Sequence, residues 1–222
     1  MKTILFDLDG TLTDPKEGIV RCYQYAIEKS NGPWMGEAEL IPHIGPPIRD
    51  CFSKILNTDD CFAIDRAVDY YRERYTDIGM FENRVYNGIS NVLAGLRKMG
   101  RRLFVATSKP RIYACKILDY FQLSHYFINV YGSKLDGTFA SKELLISHIF
   151  AAEKLNGDTT WMVGDRKYDM RAAVVNRVLP IGVLWGYGSF NELRSAGAVY
   201  ICSRANHLLA LTTQATASKT LS

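Results

Sequence analysis

The hydrophobic residues of the chain fall into short continuous runs, separated by longer amphipathic segments. Within each run the apolar residues occupy successive positions instead of alternate ones. That pattern is typical of parallel strands covered on both faces. The runs predict five strands, at Thr3–Phe6, Leu103–Ala106, Ile128–Tyr131, Trp161–Val163 and Ile181–Leu184.

Several segments between these strands place apolar residues at helical spacing, and Gly100 provides a stop signal after the first of them. Strand and helix therefore alternate, which predicts an α/β fold with a doubly wound, Rossmann-like, mostly parallel sheet. The residues predicted to face the core are Ile89, Val92, Leu93 and Leu96, then Ile112, Cys115, Leu118 and Phe121, and finally Leu144, Leu145, His148 and Ile149.

The stretch from Pro15 to Val85 interrupts this alternation, because it contains helical patterns and no convincing strand. "DPKE" is typical of a helix start, with Asp14 as the N-cap and Glu17 closing a capping box. "HIGPPIRDCF" predicts a turn that leads into a further helix. We therefore expect an all-helical cap at residues 15–85, inserted into an α/β core formed by residues 1–14 and 86–222. Its two long helices carry the apolar residues Ile19, Cys22, Tyr23, Ala26 and Ile27, and Ile64, Ala67, Val68, Tyr71, Tyr75 and Ile78.

The composition, with 47% hydrophobic and 23% charged residues among 222, is ordinary for a soluble globular protein. A net charge of +4, dispersed along the chain, does not favour nucleic-acid binding, although it does not oppose a small anionic substrate. No apolar run approaches the ~18–20 residues needed to cross a bilayer, so no membrane partner is expected. The tail from Thr212 is poor in core-forming residues and is expected to be a loose end.

The five cysteines are odd in number, far apart and without a C-x-x-C pair. This pattern argues against a disulfide framework and a zinc site, and favours a reducing compartment in which the cysteines are small core residues. The chain passes from Met1-Lys2 directly into a predicted strand, which leaves no room for a signal peptide. We therefore expect a cytoplasmic protein, and the sequence leaves open whether it is a monomer or a homodimer.

Polar side chains follow the predicted strands in four separate segments. In open parallel sheets, ligands bind beyond the carboxyl ends of the strands, so these side chains are expected to form a site at one edge. The residues are Asp7 and Asp9 after the first strand, Thr107, Ser108 and Lys109 after the second core strand, Lys142 at the start of a helix, and Asp165 after Trp161–Val163.

Each of these segments also has a purely structural interpretation. Their joint occurrence at consecutive strand ends favours a functional site over four unrelated structural features. The structural alternatives are an Asp-Gly turn at Asp7 and Asp9, a helix cap by Thr107 or Ser108 with Pro110 in the first turn, a solvated Lys142, and a turn and a helix-start acid at Asp165 and Asp169.

Four motifs resemble, in order, those of the haloacid dehalogenase-like hydrolase superfamily. They are "DLDGT" after the first strand, "ATSK" after the second core strand, Lys142, and "GDRKYD" after the fourth. The helical insert, the "GPP" turn and the "GVLWGYGS" segment resemble the phosphoglycolate phosphatase-like branch of that superfamily. The match spans nearly the whole chain. The resemblance implies an enzyme that hydrolyses phosphoric monoesters through an aspartyl-phosphate intermediate.

The resemblance also implies a role for each motif residue. Asp7 is the nucleophile, and Asp9 is first the acid that protonates the leaving alcohol and then the base that activates water. Two close carboxylates repel, which raises the proton affinity of one of them. Lys142 supplies a fixed positive charge, and Thr107 donates a hydrogen bond to a phosphate oxygen.

Oxygen ligands without a histidine cluster indicate Mg²⁺ as the cofactor. The resemblance implies Asp7, the main-chain carbonyl of Asp9, and Asp165 as its ligands. Asp169, one helical turn further on, is implied as an indirect or occasional ligand.

A small phosphorylated metabolite is the expected partner. Main-chain N–H groups near Gly10 and Ser108 are expected to hold its phosphate. Arg49 in the cap either reaches a carboxylate or second phosphate of the substrate or is a surface arginine on a cap helix. Arg21 and His43 are weaker candidates. The remaining cations near the motifs, Lys109, Arg166 and Lys167, are expected only to shape a positive field.

The motifs do not separate phosphoglycolate from a 5′-nucleotide as substrate, nor a phosphatase from a phosphosugar mutase of the same branch. Halide displacement is disfavoured, because Asp9 and Asp165 would have no purpose in it. A phosphate-sensing, receiver-like module phosphorylated on Asp7 is disfavoured by the helical insert and the intact Asp9.

Overall fold

A computed structural model of the protein describes residues 2–217. The chain forms two compact units, one of Met1–Leu12 with Val85–Ser222 and one of Thr13–Arg84. We call them the core unit and the cap unit. The sequence predicts that the chain divides after residues 14 and 85. In the structure it divides after residues 12 and 84.

Strands and helices alternate through most of the described chain. The strands are β1 (Thr3–Phe6), β2 (Thr13–Asp14), β3 (Arg84–Val85), β4 (Arg102–Pro110), β5 (Asn129–Ser133), β6 (Thr160–Gly164), β7 (Leu179–Val183) and β8 (Tyr200–Cys202). The α-helices are α1 (Lys16–Lys29), α2 (Glu37–Leu40), α3 (Ile48–Ile55), α4 (Cys61–Arg74), α5 (Ile89–Lys98), α6 (Arg111–Tyr120), α7 (Lys142–Glu153), α8 (Lys167–Val175), α9 (Phe190–Ser195) and α10 (His207–Ala217).

The core unit is built on a parallel sheet of six strands in the order β5-β4-β1-β6-β7-β8, which confirms the predicted α/β, Rossmann-like fold. All five predicted strands are present. The edge strand β8 was not predicted, because it is short and its Tyr200 is 46% exposed, so it lacks a buried apolar run. The short strands β2 and β3 pair with each other and were also missed.

The sheet contributes its apolar residues to a core that is covered by α7 and α8. Leu5, Phe104 and Met162 come from the three central strands and are fully buried. They pack in one cluster with Leu145 and Ile149 of α7. Every residue of β1 and β6 is buried, so these strands have no face exposed to solvent and can be apolar at every position.

The predicted helix faces are correct for α5 and only partly correct for α6 and α7. All four predicted α5 residues are buried, and the helix ends with Gly100 N–H donating to Arg97 and Arg101 N–H to Leu96. In α6 the buried face is shifted by about one residue and leaves Ile112 53% exposed. Six of the seven residues at positions 112–118 are apolar, so spacing alone could not select the face.

Helix α7 buries Leu145 and Ile149 as predicted and leaves Leu144 63% exposed. His148 is also exposed, and Ile146 takes the core position instead. The reason is that Lys142 is buried at the first position of this helix, which fixes the rotation of every residue that follows.

The cap unit packs α1, α3 and α4 around a cluster of aromatic rings. The rings of Tyr23 and Phe52 lie 5.3 Å apart, and those of Tyr71 and Tyr75 are stacked at 5.3 Å. The apolar face predicted for α1 is buried throughout, as is that of α4 up to Tyr75. Ile78 is exposed because Tyr75–Gly79 forms a π-helical turn, which rotates the residues after it.

The start of α1 differs from the predicted capping box. The helix begins at Lys16, with Pro15 as its N-cap. Asp14 does accept a hydrogen bond from the N–H of Lys16 at 3.3 Å, and its second carboxylate oxygen accepts from Arg84 at 2.7 Å. Glu17 pairs with Arg21 at 2.8 Å, so the predicted capping box is wrong.

Three smaller expectations are also decided by the structure. Cys22, Cys51 and Cys202 are buried as expected, whereas Cys61 is exposed and Cys115 half-buried. The predicted loose tail is wrong at its first residue, because Thr212 is buried in α10, which continues to Ala217. The last five residues of that tail, 218–222, lie outside the described part of the chain. No helix among residues 2–217 is both long enough and apolar enough to span a bilayer.

The rotation of α7 can be tested with two adjacent leucines. Leu145→Ala should lower the free energy of unfolding by about 2–5 kcal/mol, because it leaves a cavity in a close-packed core. Leu144→Ala is the matched control and should change it by no more than about 0.5 kcal/mol. Urea denaturation followed by circular dichroism measures both, and equal losses would contradict the observed rotation.

Candidate active site

The candidate site lies at the carboxyl ends of the central strands, where the chain order of the sheet reverses. The register aligns Phe6 of β1 with Val105 of β4 and Val163 of β6. Asp7 therefore follows β1 beside the ends of both neighbouring strands, and its N–H donates to the carbonyl of Val163 at 2.9 Å. Such a reversal leaves a crevice in which open parallel sheets bind their ligands.

Lys142 joins two of the buried carboxylates. Its Nζ lies 2.9 Å from Oδ2 of Asp7 and also pairs with Oδ1 of Asp169. Ser141 caps helix α7, so Lys142 at its first position is held by the helix and by both carboxylates. The other Asp7 oxygen accepts from the N–H of Leu8 at 2.8 Å.

Asp9 forms an ion pair with a second lysine, Lys109. Nζ of Lys109 lies 2.7 Å from Oδ2 of Asp9, and the two side chains are only 7% and 11% exposed. Oδ1 of Asp9 is buried and has no hydrogen-bond partner among the described residues. Burial raises the pKa of Asp9, while the ammonium group of Lys109 acts in the opposite direction.

Asp165 is enclosed by main-chain atoms. Oδ2 of Asp165 accepts from the N–H of Tyr187 at 2.8 Å, and Oδ1 accepts from the hydroxyl of Thr11 at 3.4 Å. A Cβ atom at Gly10, whose φ is +81°, would collide with this carboxylate, and the same holds at Gly186. The tight approach therefore requires glycine at both positions.

The buried carboxylates of this site destabilise one another's charges. Burial raises the pKa of Asp165 well above its ordinary value, and the neighbouring carboxylates of Asp169 and Asp7 raise it further. Burial also raises the pKa of Asp169 to about 6, although Lys142 acts to lower it. Burial alone would lower the pKa of Lys142, but the carboxylates of Asp169 and Asp7 outweigh it, so the net pKa is raised and the lysine stays charged.

The charges of this group fit a divalent cation. Asp7, Asp165 and Asp169 each bring one oxygen to within 4.8 Å of the others, and all three residues are buried. Lys109 pairs separately with Asp9. The other three carboxylates, when ionised, carry three negative charges against the one positive charge of Lys142, which contacts Asp7 and Asp169, and so leave two negative charges. One divalent cation would neutralise them, and carboxylate oxygens are the ligands that hard cations prefer.

The remaining predicted residues of the core unit lie at the same edge. Thr107 is buried, and its Oγ1 accepts from the N–H of Lys109 at 3.2 Å. The carbonyl of Ser108 accepts from the hydroxyl of Ser133 at 2.8 Å. Neither side chain caps α6, whose N-cap is Pro110, so the capping alternative is wrong.

The predicted cap residues belong to the other unit. Arg49 of α3 pairs with Asp65 of α4, and both side chains are about half exposed. Arg21 pairs with Glu17 and Glu82. The substrate-binding role of Arg49 therefore stays a prediction from the sequence.

Two contacts of this site were not predicted from the sequence. The first is the ion pair of Lys109 with Asp9, because a lysine two residues beyond a motif threonine carries no specific signal. The second is the role of the segment from Trp185 to Tyr187, which the sequence indicated only as part of the family resemblance. The indole of Trp185 donates to the carbonyl of Thr11 at 3.0 Å, and the N–H of Tyr187 donates to Asp165. The alternation of aromatic residues with glycine in this segment was the available signal.

Comparison with known proteins agrees with this geometry. Residues 4–183 match the model of the family described as haloacid dehalogenase-like hydrolase. A crystal structure of a predicted phosphatase from Clostridium acetobutylicum superposes with a TM-score of 0.92 at 39% identity, covering 96% of this chain and 98% of that one.

Three curated relatives carry different names. A 5′-nucleotidase of Pseudomonas aeruginosa is 44% identical over 200 residues, 90% of each chain. The tyrosine-protein kinase PtkA of Mycobacterium tuberculosis is 35% identical over 186 residues, 83% of this chain and 62% of that one. A phosphoglycolate phosphatase of Aliivibrio fischeri is 25% identical over 225 residues, 97% of this chain and 98% of that one. Because the family model covers most of its length, the chain belongs to the haloacid dehalogenase-like hydrolases.

Proposed function

We propose that this hydrolase is a Mg²⁺-dependent phosphatase that cleaves small phosphate monoesters through an aspartyl-phosphate on Asp7. The observation that carries the proposal is the buried cluster of four carboxylates and two lysines at the sheet edge. Transfer of a phosphoryl group needs a placed nucleophile and cations that offset its charge, and little other covalent chemistry.

Asp7 is the proposed nucleophile. It follows the central strand, and Lys142 and the N–H of Leu8 each hold one of its oxygens. These two contacts fix the direction in which the carboxylate faces the substrate. An oxygen of Asp7 bonds to phosphorus as the bond from phosphorus to the leaving oxygen breaks.

Asp9 is the proposed acid and base. Its carboxyl group is two residues from Asp7 and is mostly buried, and its raised pKa favours a proton at the start of the reaction. The proton passes to the leaving oxygen, and Asp9 then accepts one from the water that cleaves the aspartyl-phosphate. Thr107 and the main-chain N–H groups near Gly10 and Ser108 are the proposed phosphate donors.

Asp7, Asp165 and the main-chain carbonyl of Asp9 are the proposed Mg²⁺ ligands. Asp169 binds Lys142 with one oxygen and the N–H of Arg166, at 3.0 Å, with the other. We therefore propose that Asp169 orients Lys142 and does not bind the cation directly. When bound, the cation neutralises charge on the nucleophile and the phosphate.

The proposed substrate class is the 5′-nucleotides. The supporting observation is the 44% identity to a 5′-nucleotidase, against 25% to a phosphoglycolate phosphatase, with each alignment covering at least 90% of both chains. The proposed partner is thus a small phosphorylated metabolite in the cytoplasm, and the choice between monomer and homodimer stays open.

Removing the nucleophile tests the proposed reaction. Asp7→Asn should lower kcat for p-nitrophenyl phosphate by at least about 10⁴-fold, because an amide does not form the covalent intermediate. Asp158→Asn, an exposed change of the same kind, is the control and should leave kcat unchanged. Appreciable hydrolysis by Asp7→Asn in a folded protein would exclude Asp7 as the nucleophile.

The metal site has a test that does not depend on activity. Mg²⁺ at about 100 times its Kd should stabilise the EDTA-treated protein by about 2.7 kcal/mol, because it binds only the folded state. Thermal melts with and without Mg²⁺ measure this. In Asp165→Asn the Mg²⁺ shift should disappear, while the metal-free protein should melt higher because one buried charge is gone. An unchanged Mg²⁺ shift in this variant would place the ion elsewhere.

A phosphate-release assay can decide the substrate class. Across 5′-nucleoside monophosphates, phosphoglycolate and sugar phosphates, kcat/KM should be higher for at least one nucleotide than for phosphoglycolate by about tenfold or more. The comparison is made at one pH and one Mg²⁺ concentration. Preference for phosphoglycolate would contradict the proposed class and leave the phosphatase mechanism intact.

A further inference from the structure

The contact between Lys109 and Asp9 is asymmetric. Nζ of Lys109 lies 2.7 Å from Oδ2 of Asp9. Oδ1 of the same carboxyl group is buried and has no hydrogen-bond partner among residues 2–217. One oxygen of Asp9 is therefore held by a cation, and the hydrogen-bonding capacity of the other is unused among the described residues.

The backbone of Lys109 is held in place by its neighbours. The pairing of β4 with β5 becomes irregular between Thr107 and Pro110. Within that irregularity, the N–H of Lys109 donates to Thr107 Oγ1, and the carbonyl of Ser108 accepts from Ser133. These bonds hold the backbone from which the lysine side chain reaches Asp9. They lie where the regular alternation of side chains between the two faces of the sheet is interrupted.

An ammonium group has three donors and no acceptor. The oxygen that faces it, Oδ2, accepts a hydrogen bond best as a carbonyl oxygen, because a hydroxyl oxygen is a weaker acceptor. When Asp9 is protonated, the ammonium group therefore favours the proton on Oδ1. The ion pair thus selects the oxygen that holds the proton and prevents the carboxyl group from rotating.

We propose that Lys109 is a positioning residue that presents Oδ1 of Asp9 as the oxygen that gives and accepts the proton in the reaction. The inference rests on the proposed function, since it needs Asp9 to be the acid. It assigns Lys109 a specific task instead of the general positive field expected from the sequence.

Lys109 acts during two proton transfers at Asp9. An oxygen of Asp7 bonds to phosphorus, the bond from phosphorus to the ester oxygen breaks, and that oxygen takes the proton from Oδ1 of Asp9. In the second step Oδ1 takes a proton from water as the water oxygen bonds to phosphorus and Asp7 leaves. Oδ2 stays bound to Lys109 throughout.

Leaving groups of different basicity distinguish this role from a simple counter-charge. Phenolate is a poor leaving group that needs the proton, whereas p-nitrophenolate departs without it. The measured quantity is kcat/KM, which ends with phosphoryl transfer to Asp7. Lys109→Met should lower it about 10- to 100-fold for phenyl phosphate and about threefold or less for p-nitrophenyl phosphate, because only the first reaction needs general acid catalysis. A lysine that only supplied charge would affect both substrates equally.

A double variant tests whether Lys109 acts through Asp9. Asp9→Asn alone should show the same dependence on leaving group in a stronger form. Adding Lys109→Met to Asp9→Asn should change kcat/KM for phenyl phosphate by less than about twofold, because the acid to be positioned is already absent. A second loss as large as that in the single variant would overturn the proposal.

Lys109→Arg is the conservative variant, and it keeps the proposal testable if Lys109→Met does not fold. A guanidinium also donates without accepting, so the ratio of kcat/KM for the two substrates should stay near that of the wild type. A ratio shifted as far as in Lys109→Met would contradict the proposal. If Asp7→Asn is inactive and Lys109→Met lowers both substrates equally, only this inference fails. If Asp7→Asn is active, the proposed function fails as well.

Discussion

The burial of four carboxylates beside one another is the constraint on which the rest of the core unit depends. The nearest oxygens of Asp7, Asp165 and Asp169 lie within 4.8 Å of one another. At that separation two like charges repel by about 3–4 kcal/mol at an effective dielectric constant of 20. Such a cluster is held only where the fold supplies cations and fixed donors. Here they are Lys142, Lys109 and main-chain N–H groups from three different loops.

The parallel sheet supplies those donors because it brings distant segments to one edge. The main-chain N–H groups of Leu8, Arg166 and Tyr187 come from the ends of three different strands, and each donates to a different carboxylate of the cluster. Two lysines divide the carboxylates between them, with Lys142 on Asp7 and Lys109 on Asp9. The division gives two chemically similar aspartates different surroundings, which is what separates a nucleophile from an acid in the proposed reaction.

The sequence predicted the strands better than it predicted the helix faces. A parallel strand buried on both sides is a continuous apolar run, as β1 and β6 are, and all five predicted strands are present. When a helix has apolar residues on most of its circumference, their spacing does not show which side faces the core. Ile112 and Leu144 were therefore predicted to be buried, although both are exposed. The edge strand β8 was not predicted, because a half-exposed strand of three residues has no distinctive pattern.

The sequence by itself determined the fold class, the family resemblance and the residues that gather at the sheet edge, because each follows from short local patterns at strand ends. Only the tertiary structure decided how those residues pair. It assigned Asp169 to Lys142 and Lys109 to Asp9, and it placed the backbone of Tyr187 on Asp165. These partners lie between 22 and 100 residues apart in the chain. Pairing at such separations depends on sheet register, helix rotation and burial, and none of these is contained in a local motif.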